Sequence, residues 1–354
     1  MTVQEGEMFV EFSQLIEKDI LDIGNQYFKS ENLDNKTFFI TGITGLIGSM
    51  VCRTLSMIAK EKTLHIRILG MARNVLKAKE MLQDVIPNNN IVIIEQDVTT
   101  PISNIGKVDY IIHTACPTSS NVFISKPVET IQAIVTGTAN VLEFAKAVQC
   151  ESVVYLSSME AYGQVLHENV LKPEDVGYIN PLSLRSCYPE GKRMAENLCM
   201  AYFSEYQVPV KIIRLAQTFG PGILRNDSRV FAQFIRSTLA GEDIVMFTEG
   251  GSKRMYLDTM DAVNAVLAVL FHGDSGEVYN AGNVENYCSI KEMAELVIQE
   301  FGQGKNKLVI DRSKDVGQYP PDNILFLDVE PLQKLGWKAN YDLKDMYTRM
   351  IQAM

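Results

Sequence analysis

The stretch Thr37–Lys60, TFFITGITGLIGSMVCRTLSMIAK, decides the fold. Its first five residues, Thr37 to Thr41, have the Phe, Ile and Thr content of a buried strand. Gly42, Gly45 and Gly48 follow at three-residue intervals, and Ser49 to Lys60 reads as a helix. Strand, glycine turn and helix in that order form a dinucleotide-binding element. Gly42 permits the tight turn and Gly45 lets the backbone of Thr44, Leu46 and Ile47 approach a pyrophosphate. Gly48 lets the helix pack on the strand, so that the pyrophosphate lies over the helix N-terminus. An isolated glycine triplet can also be a purely structural turn; its place between a strand and a helix, early in an α/β pattern, favours the dinucleotide.

Upstream, apolar residues recur at helical spacing from Phe9 to Phe28, at Phe12, Leu15, Ile16, Ile20, Ile23 and Tyr27. The pattern predicts an amphipathic helix packed on the main body, forming an N-terminal extension over residues 1–35. Downstream, Leu64 to Leu69 reads as a second strand. The acid that would bind the ribose 2′-hydroxyl of NAD is absent from its end, where Gly70, Met71 and Arg73 stand. Arg73 suits the 2′-phosphate of NADP, and equally well a solvated arginine opening a helix over Val75 to Val85. Ile91 to Glu95 is a strand leading to Asp97 and Val98, neighbours for an adenine ring. Val108 to Thr114 is another, opening into Ala115, Cys116, Pro117 and Ser119 at the C-terminal edge of the sheet. A helix over Val128 to Val148 and a strand over Ser152 to Ser157 continue the alternation. The expected fold is α/β, a Rossmann-type doubly wound parallel sheet over residues 36–215. Beyond the strand Val210 to Leu215 the pattern loosens into a loop (Phe219 to Arg225), a helix (Val230 to Leu239) and a strand (Ile244 to Thr248). A turn over Gly250 to Arg254 leads into Met255 to Leu257, and Asp261 to Phe271 and Ile290 to Phe301 are helical. Residues 216–354 thus read mainly as a smaller C-terminal substrate-binding region with segments returning to the main sheet.

Chemistry concentrates in two places. The strand at Ser157 opens into Ser158, Met159 and Glu160, where open α/β sheets hold ligands, delivering a hydroxyl and a carboxylate together. Further on, RSCYPEGKRMAE (Arg185 to Glu196) sets Tyr188 four residues before Lys192, so both share one helix face. An ammonium near a phenol, whose ordinary pKa is ~10, favours the phenolate and makes a base for alcohol oxidation. Gly191 inside that helix suggests a backbone pressed against a ligand. YxxxK spacing also arises by chance, as Tyr287 and Lys291 show, Ser158 could simply cap a turn, and Glu160 could be a surface carboxylate. The glycine turn and the Ser158 segment, upstream in the right order, give the pair its weight.

Composition narrows the partners. The net charge of −10 argues against nucleic acid and anionic membrane as partners, since either would require a basic face. Apolar runs such as Ala265 to Phe271 fall short of the ~18 residues that span a bilayer, and no signal-peptide pattern is evident, so a cytoplasmic location is expected. The six cysteines (Cys52, Cys116, Cys150, Cys187, Cys199, Cys288) lack CxxC spacing and fit reduced thiols; with four scattered histidines, no metal site is expected.

From about Thr37 to Trp337 the chain resembles the extended short-chain dehydrogenase/reductase family of nucleotide-sugar epimerases, dehydratases and decarboxylases. HTACPTSS (from His113), KPVETI (from Lys126), SSMEAYG, NPLSLRSCYPEGKR (from Asn180) and DSRVFAQFIRSTLAGE (from Asp227) resemble most its UDP-glucuronate decarboxylase group. The resemblance implies a redox-neutral cycle on a nucleotide-diphosphate sugar, most simply a UDP-sugar, through a 4-keto intermediate. It assigns Tyr188 and Lys192 as the base and its lysine, both also contacting the cofactor, with Lys192 at the nicotinamide ribose, Ser158 as hydrogen-bond partner and Glu160 as catalytic glutamate. Arg254 stands for the arginine beside the substrate carboxyl, and Pro117, Ser119, Gln217 and Arg229 fall at substrate-binding positions, while Thr114, Ala115 and Cys116 line the cofactor. NAD is the expected cofactor, with NADP tolerated. The chain departs from the family at Ile134 and Gln217, where asparagines stand, at Gly222, and at Tyr319, Pro320, Pro321 and Asp322, which replace an arginine-containing segment. A dehydratase needs an acid where Met159 stands, whereas a 4-epimerase needs only Ser158, Tyr188 and Lys192 and remains the alternative reaction. A dinucleotide-sensing protein would have no use for the Tyr/Lys pair. The resemblance further implies a homodimer through the helices Val128 to Val148 and Gly191 to Tyr206.

Overall fold

The computed structural model describes residues 12–28, 33–103, 105–313 and 322–354. In chain order its strands are β1 (Thr37–Thr41), β2 (Arg67–Ala72), β3 (Ile91–Glu95), β4 (Tyr110–His113), β5 (Ser152–Ser158), β6 (Val210–Leu215), β7 (Gln217–Phe219), β8 (Ile244–Met246), β9 (Lys253–Asp258), β10 (Val278–Ala281), β11 (Asn283–Ser289), β12 (Leu308–Ile310) and β13 (Ile324–Leu325). The helices are α1 (Phe12–Tyr27), α2 (Leu46–Glu61), α3 (Val75–Met81), α4 (Ser120–Ser125), α5 (Pro127–Ile131), α6 (Gly137–Val148), α7 (Cys187–Tyr206), α8 (Val230–Leu239), α9 (Thr259–His272), α10 (Ile290–Phe301), α11 (Glu330–Lys334) and α12 (Leu343–Gln352).

Seven strands form one parallel sheet in the order β3-β2-β1-β4-β5-β6-β10. β1 is buried along its whole length, as are β4 and β6, because helices cover both faces. The strand period of two divides the apolar residues: Phe38, Ile40, Ile68 and Ile112 pack towards α1, α2 and α9, while Phe39, Leu69, Ile111 and Val153 pack towards α6 and α7. From β1 the chain builds outward to β2 and β3, then crosses to β4 on the other side. The order reverses between β1 and β4, and a doubly wound sheet opens its ligand crevice at that point.

The amphipathic helix expected near the N-terminus is α1; Phe9, Val10 and Glu11 of the expected span lie outside the described residues. Ile16, Ile20, Ile23 and Tyr27 are buried, and the Tyr27 hydroxyl donates to Asn264 Oδ1 at 2.7 Å on α9. After β6, the chain builds a second sheet in which β9 pairs with β7 and β13 in parallel and with β11 antiparallel. Phe219, Phe231, Tyr256, Met293 and Tyr347 form its core. α9 and β10 return to the central layers.

Several boundaries differ from expectation. The second strand spans Arg67–Ala72 rather than Leu64 to Leu69, because Leu64 is used in the turn closing α2, its N–H bonded to Ala59 O at 2.8 Å. Gly70 therefore lies inside the strand, where a Cβ would stand 2.0 Å from Ile43 Cδ1 of the glycine turn. The helix expected over Val128 to Val148 begins at Pro127 and contains a π turn, Gln132–Thr136, with α4 preceding it. Arg254, expected in a turn, lies within β9. The helix expected to Val85 ends at Met81.

Candidate active site

A cleft of ≈ 640 Å³ opens at the C-terminal ends of β1 to β4, lined among others by Gly42, Thr44, Gly45, Arg73, Asp97 and Val98 and by the run Thr114 to Ser119. The glycines divide their work by what surrounds them. Gly42 has φ 71°, and a Cβ there would stand 2.7 Å from Thr114 Oγ1 and 2.8 Å from Ala115 Cα. A Cβ on Gly48 would stand 2.4 Å from Gly42 O. Gly45 is open by comparison, its nearest neighbour, Gly42 O, at 3.2 Å, and it caps α2 with no side-chain bond to the first turn. The N–H groups of Leu46 and Ile47 therefore have no intrahelical partner, and no acid sits in that turn. Free donors at the positive end of a helix, beside an open glycine, fit the pyrophosphate of a dinucleotide. The Thr114 hydroxyl donates to Thr41 O at 2.7 Å and ties the β4 loop to the turn. His113, held between Thr41 Oγ1 (2.7 Å) and Thr138 Oγ1 (3.1 Å), has its pKa pushed down to about 3, by burial first and by Lys192 second. It is a neutral strut.

At the adenine end, Arg73 directly follows β2 and lies 4.0 Å from Asp97 through Nη1 and Oδ2. Burial acts to raise the Asp97 pKa, but the Thr99 N–H (2.9 Å) and hydroxyl (2.7 Å), with Arg73, hold it below its ordinary value.

At the other end, β5 delivers Ser158, whose Oγ accepts from Glu160 N at 3.2 Å, and a 3-10 turn over Met159–Tyr162 follows. Tyr188 lies in the first turn of α7, buried, with Lys192 one turn on. Ser158 lies near enough to the Tyr188 side chain to favour its ionised form. The Lys192 ammonium donates to Leu156 O at 2.6 Å and lies over the rings of Tyr155 (4.8 Å) and Tyr188 (5.7 Å). Here the expected electrostatics are overturned. The Tyr188 pKa is raised well above the ordinary phenol value, by burial first and then by Cys116 and Glu160, with Ser158 and Arg185 opposing. Desolvation outweighs the lysine, which sits over the ring face. Gly191 is also explained otherwise than by a ligand: a Cβ there would meet Ile134 Cδ1 at 3.2 Å, so the glycine admits the π turn against α7.

Glu160 is no free surface carboxylate. Its two oxygens lie 3.0 and 2.9 Å from Arg185 Nη2. The Arg185 guanidinium lies 5.0 Å above the Phe123 ring, which stacks on Tyr188 at 4.4 Å and 16°. Neither Arg185 nor Phe123 was singled out from the sequence. Arg185 opens the segment RSCYPEGKRMAE that carries Tyr188 and Lys192, but nothing in its spacing from Glu160 signals a contact.

The remaining candidates lie in the second sheet and around it, and none lines the dinucleotide cleft. Arg254 faces Cys288 and Leu325 in register, and its Nε is buried without a hydrogen-bond partner, which suits a ligand oxygen. Gln217 opens β7 opposite Tyr256. Arg229 is engaged by Asp227, Nε to Oδ1 at 3.0 Å and Nη2 to Oδ2 at 2.7 Å. Of the departing segment, Tyr319, Pro320 and Pro321 lie outside the described residues, while Asp322 Oδ1 accepts from Ser252 Oγ at 3.0 Å. Among the described residues no group of three or more His, Cys, Asp or Glu is placed to hold a metal ion, and no helix is long and apolar enough to cross a membrane.

Known proteins resemble the chain over most of its length. The chain is 34% identical over 329 residues to UDP-glucuronic acid decarboxylase 1 of Danio rerio, covering 92% of this chain and 74% of the relative. It is 33% identical over 314 residues to the protein of the same name in Xenopus tropicalis, covering 87% and 71%. Among solved structures, UDP-glucose 4-epimerase of Thermotoga maritima with UDP-glucose superposes with TM-score 0.74 at 22% identity, over 90% of this chain and 98% of the other. The NAD dependent epimerase/dehydratase family matches residues 38–282, the span that holds the glycine turn, Ser158, Tyr188 and Lys192, and the chain belongs to that family.

Proposed function

We propose that this protein is a UDP-glucuronate decarboxylase, acting through a 4-keto intermediate with its dinucleotide retained. The observation that carries it is the gathering of Ser158, Glu160, Tyr188 and Lys192 beside the glycine-turn cleft, with a Glu–Arg ion pair at the phenol. Relatives at 33–34% identity named for this activity support it. NAD, when bound, accepts the hydride from sugar C4 and later returns it. Tyr188 takes the proton from O4, with Ser158 sharing that hydrogen bond. The sugar is then a β-keto acid: its C5–C6 bond breaks, the electron pair passes towards the C4 carbonyl, and carbon dioxide leaves. Glu160 governs protonation at C5, Arg254 holds the carboxyl through its unspent Nε, and Tyr188 gives its proton back to O4. Met159 offers no acid for a 4,6-dehydration.

Incubation with UDP-glucuronate is expected to release carbon dioxide and a UDP-pentose in equal amounts. The appearance of UDP-galacturonate without carbon dioxide would instead establish 4-epimerisation.

Substrate is expected to lie between the dinucleotide cleft of residues 36–215 and the region 216–354, with Pro117, Ser119, Gln217 and Arg229 among its neighbours. We also propose a homodimer. Val128, Ile131 and Met194, on α5 and α7, are 61, 45 and 52% exposed, an apolar strip on adjacent helices suited to a second copy. Sedimentation as a monomer at micromolar concentration would count against it. The six unpaired cysteines support a reducing, cytoplasmic setting.

A further inference from the structure

Arg185, Phe123 and Tyr188 form a three-layer stack, guanidinium on ring on ring, with centroid separations of 5.0 and 4.4 Å. The layers come from different elements: Arg185 from the 3-10 turn Leu184–Ser186 that leads into α7, Phe123 from α4, and Tyr188 from α7 itself. The Cys187 thiol donates to Phe123 O at 3.4 Å and ties α4 to that turn. Arg185 meanwhile spans from this stack to the end of β5, where it holds both oxygens of Glu160. One guanidinium thus touches the carboxylate and the aromatic backing of the base.

We propose that Arg185 is a positioning residue of this site, which orients Glu160, fixes the Tyr188 ring through Phe123, and cancels the Glu160 charge at the phenol. It rests on the reading of Tyr188 as the base that removes the O4 proton. The titratable groups around the phenol are Cys116 beyond β4, Tyr155 on β5, Glu160 just after β5, and Arg185 and Lys192 from α7 and its lead-in. Among them Glu160 works against the phenolate and Arg185 for it. Without Arg185, a half-buried carboxylate would remain beside the base with no cation to offset it. A phenol that is harder to ionise gives a slower proton removal at neutral pH.

The test is the pH dependence of single-turnover reduction of enzyme-bound NAD by UDP-glucuronate, followed by absorbance at 340 nm. In Arg185→Ala the limb on which the rate rises with pH is expected to move up by about one unit, a roughly tenfold loss at neutral pH. Arg185→Lys should recover part of the shift, and the double variant Arg185→Ala/Glu160→Gln should return the limb to its wild-type position. An unmoved limb, or a shift that persists when the Glu160 charge is removed, overturns the proposal, because a merely structural arginine would lower the rate equally at all pH values. Should Arg185→Ala fail to fold, Arg185→Met keeps an aliphatic stem on Phe123 and serves the same comparison. Wild-type enzyme that reduces its NAD with UDP-glucose but not with UDP-glucuronate would refute the decarboxylase reading alone. The pH series would then run on UDP-glucose, since loss of the O4 proton is common to both. Reduction by neither overturns both.

Discussion

Tyr188 and Arg73 pose the questions that single residues can answer. Tyr188→Phe removes the proton acceptor but keeps the ring stacked on Phe123, so the variant is expected to fold, retain dinucleotide and lose roughly 10²–10⁴-fold in turnover. Retained turnover, measured beside the dinucleotide content of the denatured protein, would exclude Tyr188 as the base. Arg73 bears on the cofactor's 2′ position. The acid that would bind a 2′-hydroxyl is missing after β2, and Arg73 stands there, exposed and 4.0 Å from Asp97. A charge-assisted contact to a 2′-phosphate is worth roughly 1.5–3 kcal/mol. Arg73→Ala is therefore expected to weaken NADP about tenfold or more while leaving NAD nearly unchanged. Equal losses in a titration with both dinucleotides would show that Arg73 does not read the 2′ position.

The glycine turn is one element in which two glycines are required for different reasons. At Gly48 an added methyl group meets the backbone carbonyl of Gly42 at 2.4 Å, and backbone cannot move aside as a side-chain tip can. Gly48→Ala is expected to push α2 off the turn, with a stability loss of about 1–3 kcal/mol by denaturant titration. At Gly45 the same methyl meets Gly42 O only at 3.2 Å, and the backbone keeps φ −81°, which any residue adopts. Gly45→Ala is expected to fold as stably as wild type, yet to bind NAD markedly more weakly by calorimetry, because the methyl occupies the approach to the pyrophosphate. If both variants lost stability alike, Gly45 would be a packing residue. The π turn in the helical run from Pro127 to Val148 belongs to this scale too. Ile134 and Gly191 meet across two helices there, a contact that neither helix shows by itself.

Across the whole molecule, buried carboxyls fasten both ends of the described chain to its middle. Asp19 on α1 accepts from Arg349 Nη2 on α12 at 2.8 Å and from the Tyr341 hydroxyl, and Arg349 Nε also reaches Asp258 Oδ2 at 3.4 Å. Asp261 receives Asn340 N at 2.9 Å and Tyr341 N at 3.2 Å. Burial pushes the Asp258 pKa from 3.8 up to about 7, against Arg349, and the Asp261 pKa up to about 6, against its hydrogen bonds. A carboxyl whose pKa rises on folding takes up protons in the folded state, so its contribution favours folding at low pH. That contribution fades as pH rises from about 4 through the folded-state value. Asp258→Asn keeps a side chain able to cap α9 but cannot ionise. Relative to this variant, the wild type is expected to lose stability by on the order of 1 kcal/mol per pH unit between pH 4 and 7. Parallel pH profiles of melting temperature for the two proteins would show that Asp258 does not titrate in that window.

Local rules suffice where one segment contains its own reason. Thr37–Thr41 and the three glycines after it declared strand, turn and helix, and the β-branched run Ile91–Glu95 declared its strand to the residue. Tyr188 and Lys192 were joined by helical spacing alone, and α1 by its apolar stripe. What depended on distant neighbours was not legible. β2 shifted because Leu64 was needed to close α2 and because Gly70 had to admit Ile43. The two- to seven-residue strands β7, β10, β11, β12 and β13 exist only through their partners, being too short or too irregular to show a period of their own. The electrostatics of the site also came from the fold: Glu160 met Arg185 across 25 positions, and burial reversed the shift that the lysine alone would impose on Tyr188. Spacing specifies which side chains share a face; only packing specifies how far each is from water, and that distance sets the cost of charge.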